Sequence, residues 1–100
     1  MPSTKEYLEY ILEQLSDLDA LSHRAMMGEY LLYLNGKVVG GVYDDRLLVK
    51  PTEGARRLLP EAPMELPYPG GKPMLLVTEI DDRDLLADLL QTVATDLETK

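Results

Sequence analysis

The stretch HRAMMGEYLLYLNGKVVGGVYDDRLLVKP, residues 23–51, decides the fold of this chain. Asn35-Gly36 is typical of a two-residue hairpin turn, because a type I′ turn needs positive φ at both central positions. Asp44-Asp45 predicts a second reversal, and Gly28 permits a bend or bulge before the next strand. The pattern therefore predicts an antiparallel meander with strands at Leu21–Met27, Glu29–Leu34, Lys37–Tyr43 and Arg46–Lys50.

The two turns also predict a register, with Leu34 opposite Lys37 and Tyr43 opposite Arg46. Period-two alternation then sorts the side chains onto two faces. We expect the helices on the first face, which holds Leu31, Tyr33, Val38, Gly40, Val42, Leu47 and Val49. The second is an apolar patch with a polar rim, predicted as an interaction face of Tyr30, Leu32, Val39, Gly41, Tyr43, Arg46, Leu48 and Lys50. The alternative is that the C-terminal helix covers this second face.

Helices are predicted on both sides of the meander. Ser3–Leu15 has apolar residues at helical spacing, and Ser3 with Glu6 forms a capping box. Thr52–Leu59 predicts a short helix that Thr52 caps. A long terminal helix follows, capped by Asp81.

The remaining segments complete the architecture. Pro60–Pro73 carries five prolines and predicts an extended connection or surface loop, and Met74–Thr78 predicts a short buried strand. The fold class is α+β, a two-layer α/β sandwich with an antiparallel sheet, in the order helix, strands, helix, strand, helix. The length of 100 residues predicts one domain over residues 1–100.

The amino-acid composition excludes several kinds of functional site. The chain has no cysteine, which excludes disulfides, thiolate metal sites and cysteine nucleophiles. A net charge of -8 repels nucleic-acid phosphates, so direct DNA or RNA binding is disfavoured. The N-terminus does not resemble a signal peptide, and no apolar run approaches the roughly 20 residues of a membrane span. We therefore expect a cytoplasmic protein that does not enter a membrane.

Residues with catalytic or metal-binding chemistry do not form a recognisable constellation. His23 is the only histidine. A Ser-His-Asp triad would have to use this residue, and a multi-histidine metal site has no second histidine to use. Asp44-Asp45 is explained by a turn, and the acids after Glu79 by a helix start. Gly40-Gly41 lacks the phosphate-loop patterns but allows close approach of a backbone or a bulky side chain. We predict no enzyme activity, no cofactor and no metal.

The segments MMGEY and LLYLNGKVVGGVYDDRLLVKP, with the Pro-rich turn and MLLV, resemble the N-terminal domain of the TfoX/Sxy family of competence regulators. The resemblance covers nearly the whole chain and implies an antiparallel sheet flanked by helices. In full-length members a helical C-terminal domain follows, and those proteins promote transcription alongside the cyclic-AMP receptor protein. This chain ends before such a domain, so we expect a stand-alone member. The matching positions imply a structural or interaction signature of Arg24, Met27, Gly28, Glu29, Tyr30 and Asp45.

Two function hypotheses follow. The first is a non-enzymatic regulatory or protein-interaction domain that acts through the second sheet face or the sheet edge, with a protein partner or a homodimer as the assembly. The alternative is a small-molecule-binding domain or enzyme with a pocket under the Pro-rich segment, where Tyr68, Glu29 and Arg24 supply polar groups.

Overall fold

The computed structural model describes residues 3–98. The helices are α1 (Lys5–Gln14), α2 (Glu53–Leu58) and α3 (Arg83–Glu98). The strands are β1 (Leu21–Met26), β2 (Glu29–Leu34), β3 (Lys37–Val42), β4 (Leu47–Val49), β5 (Met64–Glu65) and β6 (Met74–Val77). They form one six-stranded sheet in the order β1-β2-β3-β4-β6-β5, and every neighbouring pair is antiparallel. Within the described part of the chain, none of the helices combines the length and apolar character needed to cross a membrane.

Two-residue turns with positive φ at both positions join the first four strands. Asn35-Gly36 adopts this conformation as predicted, and Asp44-Asp45 does so with φ of 55° and 54°. Reciprocal backbone bonds of 2.9 and 3.0 Å between Tyr43 and Arg46 close the Asp44-Asp45 hairpin, as predicted. The first turn is Met27-Gly28, so Met27 belongs to the turn and not to β1.

A β-bulge in β3 changes which side chains share a face. Tyr33 pairs with Val38 as the turn predicts, but Leu32 pairs with Gly40 and not with Val39. Side chains of a strand alternate between the two faces with a period of two. The extra residue in β3 therefore reverses, for all pairs beyond it, which side chains of β2 and β3 share a face. The predicted register was therefore right next to the turn and wrong beyond it.

All three helices pack on one face of the sheet, which we call the helix face. Their buried side chains share a single core with Leu32, Leu34, Val39, Val42, Leu47, Val49, Leu75 and Val77. The opposite face, called the open face, presents Leu31, Tyr33, Val38, Tyr43, Leu48, Met74 and Leu76. Of the residues predicted to receive the helices, Leu31, Tyr33 and Val38 thus lie on the wrong side. The alternative in which the C-terminal helix covers the second face holds for Tyr30, Leu32 and Val39, which lie on the side where α3 packs, and not for Leu48 on the open face.

The predicted capping box at the start of α1 was wrong. Thr4 is the N-cap, and its hydroxyl accepts a bond of 3.2 Å from the Tyr7 amide. The Ser3 hydroxyl accepts instead from the amide of Asp45, 3.2 Å away in the Asp44-Asp45 turn. A contact across 42 residues therefore displaces the local cap.

The other two helices begin close to where the sequence predicts. Thr52 caps α2, accepting a bond of 3.2 Å from the Ala55 amide. At α3 the cap is Asp82, which accepts from the Leu85 amide at 3.1 Å, and not Asp81. Asp81 instead accepts a hydrogen bond from the hydroxyl of Tyr10 on α1.

The Pro-rich segment contains a strand that the sequence did not indicate. Met64 and Glu65 pair with Leu75 and Met74, so β5 forms the short edge of the sheet beside β6. Two strands, and not one, therefore separate α2 from α3. The α+β class and the mixture of helices with an antiparallel sheet are as predicted, while the element order is corrected at this point.

Candidate functional site

The open face is apolar at its centre and only partly covered. Leu48 and Tyr43 are buried, whereas Leu31 and Leu76 are half-buried. The Tyr43 ring lies on Gly41, where a Cβ would fall 2.7 Å from the ring atom Cε2. The glycine pair thus allows the close approach that the sequence predicts. A partly exposed apolar sheet surface is the part of this molecule that most resembles a binding surface.

The structure divides the eight residues predicted as the interaction face. Four of them lie on the open face, namely Gly41, Tyr43, Arg46 and Leu48. Three point to the helices and were assigned to the wrong face, Tyr30, Leu32 and Val39. The bulge in β3 causes this error, and it leaves Leu32 and Val39 fully buried in the core. Lys50 follows β4 at the far end of the open face.

The Pro-rich segment covers part of the open face. The rings of Tyr68 and Tyr43 are in contact with centroids 6.3 Å apart, and Pro67 is buried. The Arg46 guanidinium holds the segment in place, with Nη1 2.6 Å from Glu65 Oε1 and Nη2 3.3 Å from the Leu66 carbonyl. Arg46 is therefore occupied by the chain's own contacts and is a poor candidate for binding a partner.

A cleft of about 760 Å³ opens where this segment meets the hairpin turns. We call it the tip cleft, and its lining residues are Met27, Gly28, Glu29, Asp44, Arg46, Leu66, Pro67, Tyr68 and Pro69. Met27 is 98% exposed, Leu66 48% and Tyr68 53%. Large apolar side chains are thus presented to solvent around a concave site. Tyr68 and Glu29 line it as the small-molecule alternative expects, whereas Arg24 is not among the lining residues.

Three of the six signature residues attach the start of α1 to the hairpin turns. The Gly28 carbonyl and the Glu29 carboxylate accept from the Ser3 amide at 3.1 and 3.2 Å. The Asp45 carboxylate accepts from the Thr4 amide at 2.8 Å and from its hydroxyl at 3.2 Å. These contacts give Gly28, Glu29 and Asp45 a structural role.

The other three signature residues have separate environments. Tyr30 packs against the helix-face core, and its ring meets the edge of His23 with centroids 6.5 Å apart. Arg24 is exposed on β1, opposite Leu31, on the open side of the sheet. Met27 projects from the first turn. Only Arg24 and Met27 are therefore placed to contact a partner freely.

The environment of Tyr43 on the open face keeps its hydroxyl protonated. Burial raises the pKa of Tyr43 above the ordinary value of 10.0, and the neighbouring Tyr68 and Glu29 raise it further. A tyrosine in this environment is a hydroxyl donor at neutral pH and not a nucleophile or a general base.

Metal-binding and catalytic clusters are not found among residues 3–98. No group of three or more His, Asp or Glu side chains there is arranged to hold a metal ion. His23 is exposed on the edge strand β1, away from the tip cleft lining. Among the described residues, the tip cleft therefore combines exposed apolar side chains with no metal-binding cluster.

Sequence reasoning missed several residues of this surface. Leu31, Tyr33, Met74 and Leu76 belong to the open face, and Leu66 to the tip cleft. The signal that could have found the first two was Gly40-Gly41, because glycine inside a strand often marks a bulge. Leu66 gave no signal of its own, since the packing of a proline-rich loop is not set by periodicity.

Comparison with known proteins gives two results. The family model described as the TfoX N-terminal domain matches residues 13–93 of this chain. An uncharacterized 12.7 kDa protein from the trpE 5′ region of Spirochaeta aurantia is 31% identical over 98 residues, which is 97% of this chain and 85% of that protein. Both matches extend over the hairpin meander, the Pro-rich segment and most of α3.

Proposed function

We propose a function from the premise that this chain belongs to the TfoX N-terminal domain family: it is a non-enzymatic regulatory domain that acts by binding another protein. The family is not a known enzyme family. Among the described residues no group of three or more His, Asp or Glu side chains could hold a metal ion, and the tip cleft exposes the large hydrophobic side chains of Met27, Leu66 and Tyr68. Residues 1–100 act in this proposal as one domain in the cytoplasm, and a homodimer is one form that the assembly can take.

The exposure of Met27 carries the proposal. Its side chain is 98% exposed at φ 52°, a left-handed conformation that costs a residue with a Cβ about 1 kcal/mol. The Asn35-Gly36 turn shows that this chain also uses asparagine at the same turn position, where it is better tolerated. A flexible thioether at an unfavourable backbone position is explained by contact with a partner, because methionine adapts to varied apolar surfaces.

Neighbouring side chains extend the contact surface. Met26, Leu66 and Tyr68 are large, exposed and apolar, and they lie beside Met27 on the open side of the sheet. Aromatic and methionine side chains with a polar surround are the usual centre of a protein interface. The net charge of -8 favours a partner with a basic surface and disfavours DNA as the direct ligand.

A substitution at the turn separates binding from folding. Met27→Asn creates an Asn-Gly turn, so we expect the free energy of unfolding to stay equal or rise by about 0.5 kcal/mol. The same change removes the apolar anchor, and we expect the affinity for the partner to fall by roughly tenfold or more. Leu58→Asn is the matched control, because Leu58 is exposed on α2, away from the tip cleft.

The measurement is a pull-down with the tagged chain, followed by titration of the purified partner into each variant. Sedimentation equilibrium of the chain alone tests whether that partner is a second copy. Retention of the same partner with equal affinity by Met27→Asn and Leu58→Asn would exclude the tip as the contact surface.

The tip cleft also supports a second candidate, a small-molecule-binding domain. Its volume of about 760 Å³ suits a metabolite, and Glu29 and Tyr68 provide polar groups. A thermal-shift panel of metabolites tests this: a stabilising compound must lose its effect when Tyr68→Ala opens the cleft. A panel without any stabilising compound counts against it.

A further inference from the structure

A second cleft, of about 660 Å³, lies at the opposite end of the open face. Lys50 directly follows β4, and Lys72 lies two residues before β6. Because β4 and β6 are antiparallel, with Val49 opposite Leu75, both lysines reach the same end of the sheet. Both of them line this site, which we call the lysine cleft.

The charge of the lysine cleft is opposite to that of the chain. The molecule carries 18 Asp and Glu residues against 10 Lys and Arg, yet none of the residues that line this cleft is acidic. The side chains of Lys50 and Lys72 make no ion pair with any residue in the range 3–98. Two ammonium groups beside a concave surface with no carboxylate produce a local positive field in an acidic protein.

The walls of the lysine cleft suit an apolar body. Val38 and Met74 of the open face line it, together with Leu97 of α3. The rings of Tyr43 and Tyr68 form another side. Its volume lies within the range of about 300–1,000 Å³ that is typical of small-ligand sites, which are mostly apolar with a few placed polar groups.

Polar donors are available besides the lysines. Burial and the neighbouring Tyr68 and Glu29 raise the pKa of Tyr43, so its hydroxyl stays protonated. Thr52 also lines the lysine cleft, and its oxygen accepts from the Ala55 amide while its own proton remains available to donate. All of these groups donate to an anion.

We propose that the lysine cleft binds a small organic anion, a carboxylate or phosphate ester attached to an aromatic or aliphatic body. The anionic group is held by Lys50 and Lys72, and the body packs between the tyrosine rings and the aliphatic wall. Pro67 and Tyr68 line both clefts, but Met27 lines only the tip cleft and the two lysines only this one, so the proposal does not depend on protein binding by Met27.

The test uses phenyl phosphate and benzoate as probes, with benzyl alcohol as the uncharged comparison, in an NMR titration of the whole chain. We expect saturable shifts at residues of the lysine cleft with both anions, much weaker binding of the alcohol, and affinity that falls as salt rises. Lys50→Gln/Lys72→Gln should lower the affinity for phenyl phosphate by roughly tenfold or more.

The matched control is Lys5→Gln/Arg56→Gln, which changes the net charge equally at two exposed positions outside the lysine cleft. It should leave the affinity nearly unchanged. Lys72→Gln alone, at an exposed position, gives a second readout if the double variant unfolds. Equal losses in the two double variants, tight binding of the alcohol, shifts confined to another surface, or no saturable shift with either anion would overturn the proposal.

Discussion

The two faces of the sheet have similar sequences and different surroundings. Adjacent residues show the contrast: Leu32 is fully buried against the helices, while its neighbour Leu31 is half-buried on the open face. The helix face is filled by aliphatic side chains from all three helices, whereas the open face is covered only in part, by the Pro-rich segment. An apolar strand therefore does not by itself reveal which of its sides forms the core. In this molecule the helix face forms the closed core, and the open face keeps apolar side chains that are only half-buried.

The largest expected effect comes from truncating this neighbouring pair of leucines. Leu32→Ala should lower the free energy of unfolding by about 3 kcal/mol, because it leaves a cavity in a closed core. Leu31→Ala should cost only about 1 kcal/mol, since its site is already partly hydrated. Urea denaturation of both variants measures the difference. Equal losses, or a larger loss at Leu31, would contradict the assigned faces and the bulge.

A smaller effect is expected where the start of α1 meets the hairpin turns. Asp45→Ala removes the acceptor for the Thr4 amide and hydroxyl. It also places alanine at φ 54°, a conformation that alanine tolerates less well than aspartate does. We expect a loss of about 1–2 kcal/mol. Asp45→Asn keeps an oxygen acceptor and tolerates this conformation, so it should retain most of the stability in thermal unfolding. A loss at Asn equal to that at Ala would show that charge, and not the hydrogen bonds, holds the helix start.

The smallest effect concerns pH and sharpens the view of the open face. Burial raises the pKa of Tyr43 above 10.0 in the folded chain, so folding favours the neutral phenol. The resulting contribution to stability is complete below pH 10.0 and is lost as the pH rises through the folded pKa. Stability should thus fall as the pH rises above about 10, and less steeply in Tyr43→Phe. The pKa values of Tyr7 and Tyr10 are also raised, so a smaller fall remains in that variant. Identical slopes in the two proteins would refute this role of Tyr43.

Local signals predicted much of the fold. The hairpins at Asn35-Gly36 and Asp44-Asp45, the cap at Thr52 and the apolar stripe of α1 all depend on contacts within a few residues, and all are present. The family resemblance is confirmed by the match over residues 13–93.

The errors have tertiary causes. The extra residue at Val39 depends on how Gly40 fits against β4, where a Cβ would lie 2.9 Å from the Cα of Val49 and closer still to the Leu48 carbonyl. The cap moved from Ser3 to Thr4 because Asp45 approaches from a distant part of the chain. β5 has two residues, too few for a periodic pattern, and exists only because β6 is beside it. The predicted set of site residues contains the same errors, because the bulge in β3 and the packing of the Pro-rich segment decide which side chains reach the site.

The attachment of Ser3 and Thr4 to the two hairpin turns has a consequence for biosynthesis. Ser3 and Thr4 are synthesised before their partners Gly28 and Asp45, which follow them by 25 and 41 positions. Contacts of such separation form only after the intervening chain is closed, which slows folding. The start of α1 therefore stays undocked until the Met27-Gly28 and Asp44-Asp45 turns have been synthesised, so Ser3 and Thr4 reach their native contacts long after their own synthesis.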